Sequence, residues 1–282
     1  MLVRPPLPFT GNKSKYRKIL LQILQSYIPI VSKQQDFYIV DVFGGSGFCS
    51  YLARQVFPDE THIHVIYNDY DNYVDRLLKI EQTNRILQKC RDIVKTPFLG
   101  RLTENEKQAC LDIIEQEDNP DIRTLSSHLI YSANSCTSTA YDVLRKSPFY
   151  NRITSTLHTV HGDEYLQGID VIHADFEDII TNFINKPTLF IIDPPYLYSD
   201  KNSYKTNYWK LDKYMLLLYM IMNMKRVIFF SQKDGEFSSI IESLDRYFGI
   251  DILKDAIYTL RSLGCGELLF GVFLAGLIIV GD

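Results

Sequence analysis

The apolar positions of this chain follow two periods, and the switches between them mark out its elements. From Lys15 to Tyr27, Ile19, Leu20, Ile23, Leu24 and Tyr27 recur at helical spacing, which predicts one amphipathic helix stopped near Pro29. Phe37 to Asp41 is a short β-rich run ending in an acid, followed by Gly44-Gly45-Ser46-Gly47 and a helix-like stretch from Phe48 to Gln55. Strand, glycine turn and helix open a βαβ unit. A second strand, Ile63 to Tyr67, ends in Asn68-Asp69, and a charged amphipathic helix starts at Tyr73.

From about Arg76 to Tyr165 the pattern becomes polar and helix-compatible, with a Ser-, Thr-, Asn- and Cys-dense stretch over Ser132 to Thr139 and no strand-like alternation. The βα rhythm then resumes. Asp170 to His173 leads into Ala174-Asp175-Phe176 and a helix from Glu177, and Thr188 to Ile192 leads into Asp193-Pro194-Pro195-Tyr196. A polar aromatic loop, a helix through Leu216 to Met224 and a strand at Val227 to Ser231 follow. Leu268 to Val280 is apolar over 13 residues and interrupted by Gly271 and Gly276. That is too short for a bilayer and fits two buried strands joined by a turn. The pattern predicts an α/β domain from residues 1–75 and 166–282, with a parallel sheet and helices on both faces. Residues 76–165 form a mainly helical insert.

Composition adds class and compartment. With 46% apolar and 23% charged residues over 282 positions, the chain can bury a full globular core and lacks the signature of disorder. Its five cysteines, Cys49, Cys90, Cys110, Cys136 and Cys265, are scattered without metal-ligand spacing, which points to reduced thiols in the cytoplasm and to no bound metal. The start of the chain is proline-rich and interrupted by Arg4, so no secretory signal or membrane association is expected. The formal charge of −4 argues against a uniformly basic nucleic-acid binder.

Four predicted strands end in acids, Asp41, Asp69, Asp175 and Asp193, and ligands of open parallel sheets bind at such carboxyl ends. Gly44, Gly45 and Gly47 would let a ligand approach the backbone closely. Asp69 stands where an acid commonly bonds ribose hydroxyls. The Asp193-Pro194-Pro195-Tyr196 segment is the sharpest signal, because two prolines fix the direction of one carboxylate and one aromatic ring. The carboxylate and a proline carbonyl can accept hydrogen bonds from an exocyclic amine while the ring stacks on a planar base.

Pro8-Phe9-Thr10-Gly11-Asn12-Lys13, the Asp41-to-Gly47 turn, Asp69, Asp175-Phe176 and Asp193-Pro194-Pro195-Tyr196 occur in an order that resembles the DNA adenine-N6 methyltransferases of the Dam-like class. Val42 and Phe9 depart from that pattern, where the family often has Pro and Trp. The resemblance implies a Rossmann-like sheet using S-adenosylmethionine (SAM) and a helical target-recognition insert. Phe9 and Lys13 would flank the methionine part of SAM, and the turn from Asp41 through Gly44, Gly45 and Gly47 would pass beneath it. Asp69 would hold the ribose, and Asp175 with Phe176 the adenine ring. Asp193, Pro194, Pro195 and Tyr196 would receive the target adenine flipped from double-stranded DNA.

Residues 1–35 carry six Lys/Arg and no acid, and residues 197–233 carry seven against two acids, so basic borders can surround one pocket on an acidic body. Lys201 and Lys205 lie in the second run, where tyrosines interleave. The insert holds 12 basic and 12 acidic residues, and Asn134, Ser135, Thr137, Arg145, Lys146, Asn151 and Arg152 are its candidate DNA contacts. Methylation of RNA or another amino group, and a decayed DNA-binding subunit, remain alternatives. A nicotinamide dehydrogenase does not fit, because the glycine turn is not GxGxxG and Asp-Pro-Pro-Tyr would have no role.

Overall fold

The structure is a computed structural model of the chain. It describes residues 2, 4–33, 35–58, 61–130, 141–153, 162–195, 209–232, 239–240, 243, 246, 258–260, 267–272 and 278–281, the last three stretches as backbone. A 3₁₀ turn, Ser14–Tyr16, leads into α1 (Arg17–Ser26) and α2 (Ile28–Val31). Pro29 therefore sits in the first turn of a second short helix, where a missing N–H costs nothing. β1 (Phe37–Asp41), α3 (Phe48–Val56) and β2 (Ile63–Asn68) follow as the sequence predicts. The helix expected from Tyr73 is broken at Leu78–Lys79 into α4 (Tyr73–Leu77) and α5 (Ile80–Ile93). Then come α6 (Glu104–Glu115), α7 (Ile122–Leu129), α8 (Tyr141–Lys146) and α9 (Gly162–Tyr165). β3 (Asp170–Ile172), α10 (Phe176–Phe183), β4 (Thr188–Ile192), α11 (Leu211–Ile221), β5 (Val227–Gln232), β6 (Tyr258–Leu260), β7 (Glu267–Val272) and β8 (Ile278–Gly281) complete the chain.

The sheet order is β3-β2-β1-β4-β5, all parallel, with β8 parallel and β7 antiparallel to β5. The apolar stretch near the C-terminus thus supplies β7 and β8, and the turn between them lies outside the described residues. Alternation along each strand decides which layer a side chain joins. Ile39, Val65, Leu189, Ile191, Ile228 and Phe230 pack against α1 and α3, whereas Val40, Ile66, Phe190, Ile192, Val227 and Phe229 pack against α10 and α11. Both faces are therefore covered, as a parallel sheet requires, and the architecture is α/β and Rossmann-like. Among the described residues, no helix is long and apolar enough to cross a membrane.

The stretch between β2 and β3 gathers a core of its own, in which Ile86, Leu87, Cys90, Cys110, Leu111, Leu125, Leu129 and Phe149 are buried. α6 begins on a capping box, Thr103 accepting from Glu106 N while the Glu106 side chain accepts from Thr103 N. Its only strand-like contacts among the described residues are single bridges, Arg101 to Tyr150 and Ile130 to Phe149.

Arg76 ties this unit to the N-terminal segment. Its Nε lies 3.1 Å and 3.2 Å from the two Asp121 oxygens, and Nη2 donates to Pro8 O at 3.0 Å and Thr124 Oγ1 at 3.1 Å. The guanidinium also lies 5.4 Å from the Tyr73 ring centre, and the Tyr73 hydroxyl both accepts from Leu7 N and donates to Leu7 O. Arg76 is 8% exposed and Asp121 5%, so removing one partner strands a buried charge. Asp121→Ala should lower unfolding stability by about 3–5 kcal/mol, whereas a joint Arg76→Met, Asp121→Leu replacement should cost far less. Urea denaturation of the two variants checks this.

Candidate active site

Strand order reverses between β1 and β4, and at such a switch point the loops leaving neighbouring strands diverge and open a crevice. From β1 the chain runs through the glycine turn into α3. A Cβ on Gly44 would stand 2.3 Å from the Tyr67 ring and 2.9 Å from Asn68 O, so no other residue fits. Gly45 and Gly47 adopt φ of 51° and 67°, open to glycine without strain. The Tyr67 hydroxyl lies 2.8 Å from Gly45 O, the Tyr165 hydroxyl donates to Ser46 O at 3.0 Å, and the Phe9 ring lies against Gly45. The turn is held by aromatic hydroxyls from below and capped by the N-terminal segment.

In the crevice three ionisable side chains meet, Lys13, Asp41 and Asp193. Lys13 Nζ pairs with Asp193 Oδ2 at 2.9 Å, donates to Gly11 O at 3.0 Å and lies 5.2 Å from the Phe230 ring centre. Asp41, at 2% exposure, accepts from Ser50 Oγ at 2.8 Å. Burial pushes the Asp41 carboxyl up to about 7, with the Ser50 hydrogen bond opposing this and the Asp193 charge adding to it. Burial, then the Asp41 and Asp193 charges, holds the Cys49 thiol well above its ordinary value, so it is a neutral neighbour rather than a nucleophile.

Phe9, Lys13, Asp41, Gly44, Gly45, Phe176, Asp193, Pro194 and Pro195 all line one cleft of about 890 Å³, its open mouth included. Gly47 instead starts α3, as its N-cap. Two other expected contacts lie elsewhere. Asp69 does not line the cleft: it is 5% exposed and accepts from Tyr73 N at 2.6 Å and Val74 N at 2.8 Å, which opens α4. Asp175 is the N-cap of α10, accepting from Glu177 N at 3.0 Å. Their neighbours take their places, since Tyr70, Asp71 and Ala174 line the cleft. Tyr70 stacks on His173 at 5.3 Å, and His173 Nδ1 donates to Asp69 O at 2.8 Å.

Asn68, which the sequence places only at the end of the second strand, laces three strand ends together. Its Nδ2 donates to Val42 O at 2.9 Å and Ala174 O at 3.1 Å, and its Oδ1 accepts from Ala174 N at 3.1 Å. Phe43, also on the cleft, stacks with Phe176 at 5.7 Å and meets Trp209 edge-on at 5.4 Å. Trp209 is therefore core, at 8% exposure.

Tyr196, Lys201, Lys205, Asn134, Ser135 and Thr137 lie outside the described residues. Of the other candidate contacts in the insert, Asn151 donates from Nδ2 to Thr96 O at 2.7 Å, and Arg152 donates from Nη1 to Ile130 O at 3.1 Å. Both hold the insert's own loops. Arg145 pairs with Glu115 at 2.8 Å on the surface, and Lys146 is exposed.

Chemically, the cleft offers a glycine turn on one side, a carboxylate paired with a lysine and followed by two prolines, and aromatic walls. A glycine turn packed against aromatic rings at the end of β1, with Asp71 lining the same cleft, suits a nucleoside-bearing cofactor. The raised Asp41 carboxyl has a consequence for stability. The folded protein holds a proton there that the unfolded chain releases near pH 4, so stability falls as pH rises from about 4 to about 7. Asp41→Asn should flatten that part of the profile, measured by thermal denaturation between pH 4 and 8.

No protein-family model matches the chain. A Haemophilus influenzae protein described as "Putative methyltransferase" is 34% identical over 238 residues, covering 82% of this chain and 77% of its own length. With that extent of identity and a Rossmann-like sheet whose cleft opens at the switch point, the chain belongs to the methyltransferases.

Proposed function

We propose that this methyltransferase transfers a methyl group from SAM to N6 of an adenine flipped out of double-stranded DNA. The observation that carries the reading is the meeting, in one cleft, of Asp193-Pro194-Pro195 from the end of β4 with the glycine turn from the end of β1. A donor seated over one strand end then lies beside an acceptor held at the next. The residues fit SAM: the Gly44 and Gly45 backbone lines the cleft, Phe9 and Phe176 offer apolar faces, and Asp71, two residues after Asp69, supplies an acid on the same cleft. SAM supplies an electrophilic methyl group when bound.

The chain's own residues do the rest. Adenine N6 is a weak nucleophile because its lone pair is delocalised into the ring. Hydrogen bonds from N6 to the Asp193 carboxylate and the Pro194 carbonyl favour a pyramidal nitrogen whose lone pair points away from them. Lys13, by holding Asp193 Oδ2 at 2.9 Å, fixes the carboxylate before the base arrives, so little reorganisation remains. The negative charge on Asp193 stabilises the positive charge that develops on N6, and the surplus N6 proton is then released to solvent, leaving neutral N6-methyladenine. Near neutral pH Asp41 is substantially protonated, which limits repulsion with Asp193. Alignment of nitrogen with the methyl group supplies much of the acceleration. Pro194 is buried, and the two prolines restrict the backbone that presents these acceptors.

Asp193→Ala should reduce methyl transfer by at least about 1000-fold while leaving SAM binding within a few-fold of wild type. The assay incubates tritiated SAM with unmodified duplex DNA and identifies the labelled nucleoside. Label in N6-methyladenine supports the reading. Label confined to RNA or protein, or undiminished transfer by the variant, overturns it.

A further inference from the structure

The loop between α5 and α6 carries two exposed apolar side chains on an unusually firm support. Phe98 is 59% exposed and Leu99 52%. Beneath them Glu106 accepts from Lys95 N at 2.7 Å, Thr96 N at 2.9 Å and Thr96 Oγ1 at 2.7 Å. Asn151 closes the other side: Leu99 N donates to Asn151 O at 2.7 Å, and Asn151 N donates to Gly100 O at 2.9 Å. The tip itself is a tight turn, with Gly100 N donating to Pro97 O at 2.8 Å.

Leu99 is costly where it stands. Its φ of 67° is left-handed, a conformation that disfavours a branched side chain by about 1–2 kcal/mol. At this position of a turn, glycine or asparagine folds more easily. Half its surface also faces water, so burial offsets that cost only in part. A side chain that folding alone disfavours, displayed beside an exposed phenylalanine on a braced loop, has its use outside the folded chain.

We propose that Phe98 and Leu99 form a wedge that enters the base stack of duplex DNA lying along the insert. This rests on the DNA substrate proposed above. Exposed Lys95 and Arg101 stand at the two ends of the loop, placed for phosphates on either side of a penetrated step. Glu106, by contrast, is engaged with the loop's backbone and the Thr96 hydroxyl. A convex tip of two side chains suits a gap between base pairs, where apolar wedges unstack and kink a duplex. It is far too small for a stable protein interface, which needs about 800 Å² per partner. α5 has 14 residues and is about 20 Å long, and it runs from Lys79, which lines the same surface hollow as Asp71, towards the loop that carries the tip. The wedge would therefore grip the duplex to one side of the flipped base and set its register.

Leu99→Gly removes the wedge and the strain together, so it should leave the melting temperature unchanged or higher while weakening binding. Phe98→Ala removes the other half without touching the backbone. Binding of the full chain to a fluorescent mixed-sequence duplex of about 40 base pairs, read by anisotropy from about 50 to 200 mM salt, separates the contributions. Each wedge variant should bind about tenfold more weakly at every salt concentration with an unchanged salt slope. Lys95→Ala and Arg101→Ala should each flatten the slope by about one. Wild-type affinity in both Leu99→Gly and Phe98→Ala overturns the wedge while duplex methylation by the wild type leaves the substrate intact. A wild type that binds no duplex overturns both.

Discussion

Between β1 and β4 the chain stops laying strands in one direction and starts in the other, and everything chemical in the molecule hangs on that reversal. The crevice it opens would be an idle gap if nothing spanned it. The Lys13–Asp193 ion pair does so, joining a segment that precedes the first helix to the end of the fourth strand. A charge pair is a demanding way to close a crevice, because both partners lose water on burial and the attraction must replace it. Beside it, burial raises the Asp41 carboxyl, so that this acid adds less negative charge next to Asp193.

The parallel core was plain in the sequence because its strands are buried on both faces and read as apolar runs closed by an acid. Phe37–Asp41 and Thr188–Ile192 match their strands residue for residue. Helix ends were less plain. α11 starts at Leu211, five residues before the Leu216 expected, because apolar residues surround the helix and blur its period. Its predicted last turn, Met222 to Met224, closes instead through tighter backbone bonds from Asn223 N to Met220 O and Met224 N to Ile221 O.

The site was legible in outline and misplaced in detail for one physical reason. An acid at a strand end can face the ligand or cap the helix that follows, and spacing does not distinguish the two. Asp41 and Asp193 face the cleft, whereas Asp69 and Asp175 satisfy the first N–H groups of α4 and α10. Asn68 and Tyr70 escaped notice because Asn-Asp-Tyr is ordinary turn composition. Their roles depend on partners more than a hundred residues away, Ala174 and His173. The insert's polar residues had the converse fate: Asn151 and Arg152 looked like groove readers and are bonded to their own loops.

Arg76 gives these parts a mechanical relation. One guanidinium grips Asp121 and Thr124 of the insert and, through Pro8 O, the strand of chain that reaches Phe9 and Lys13 within a few residues. It works as a pivot pin through three plates. A tilt of the insert must either carry the lysine-bearing segment with it or break a buried charge pair. The position of the insert and the alignment of the Asp193 carboxylate therefore belong to one linkage.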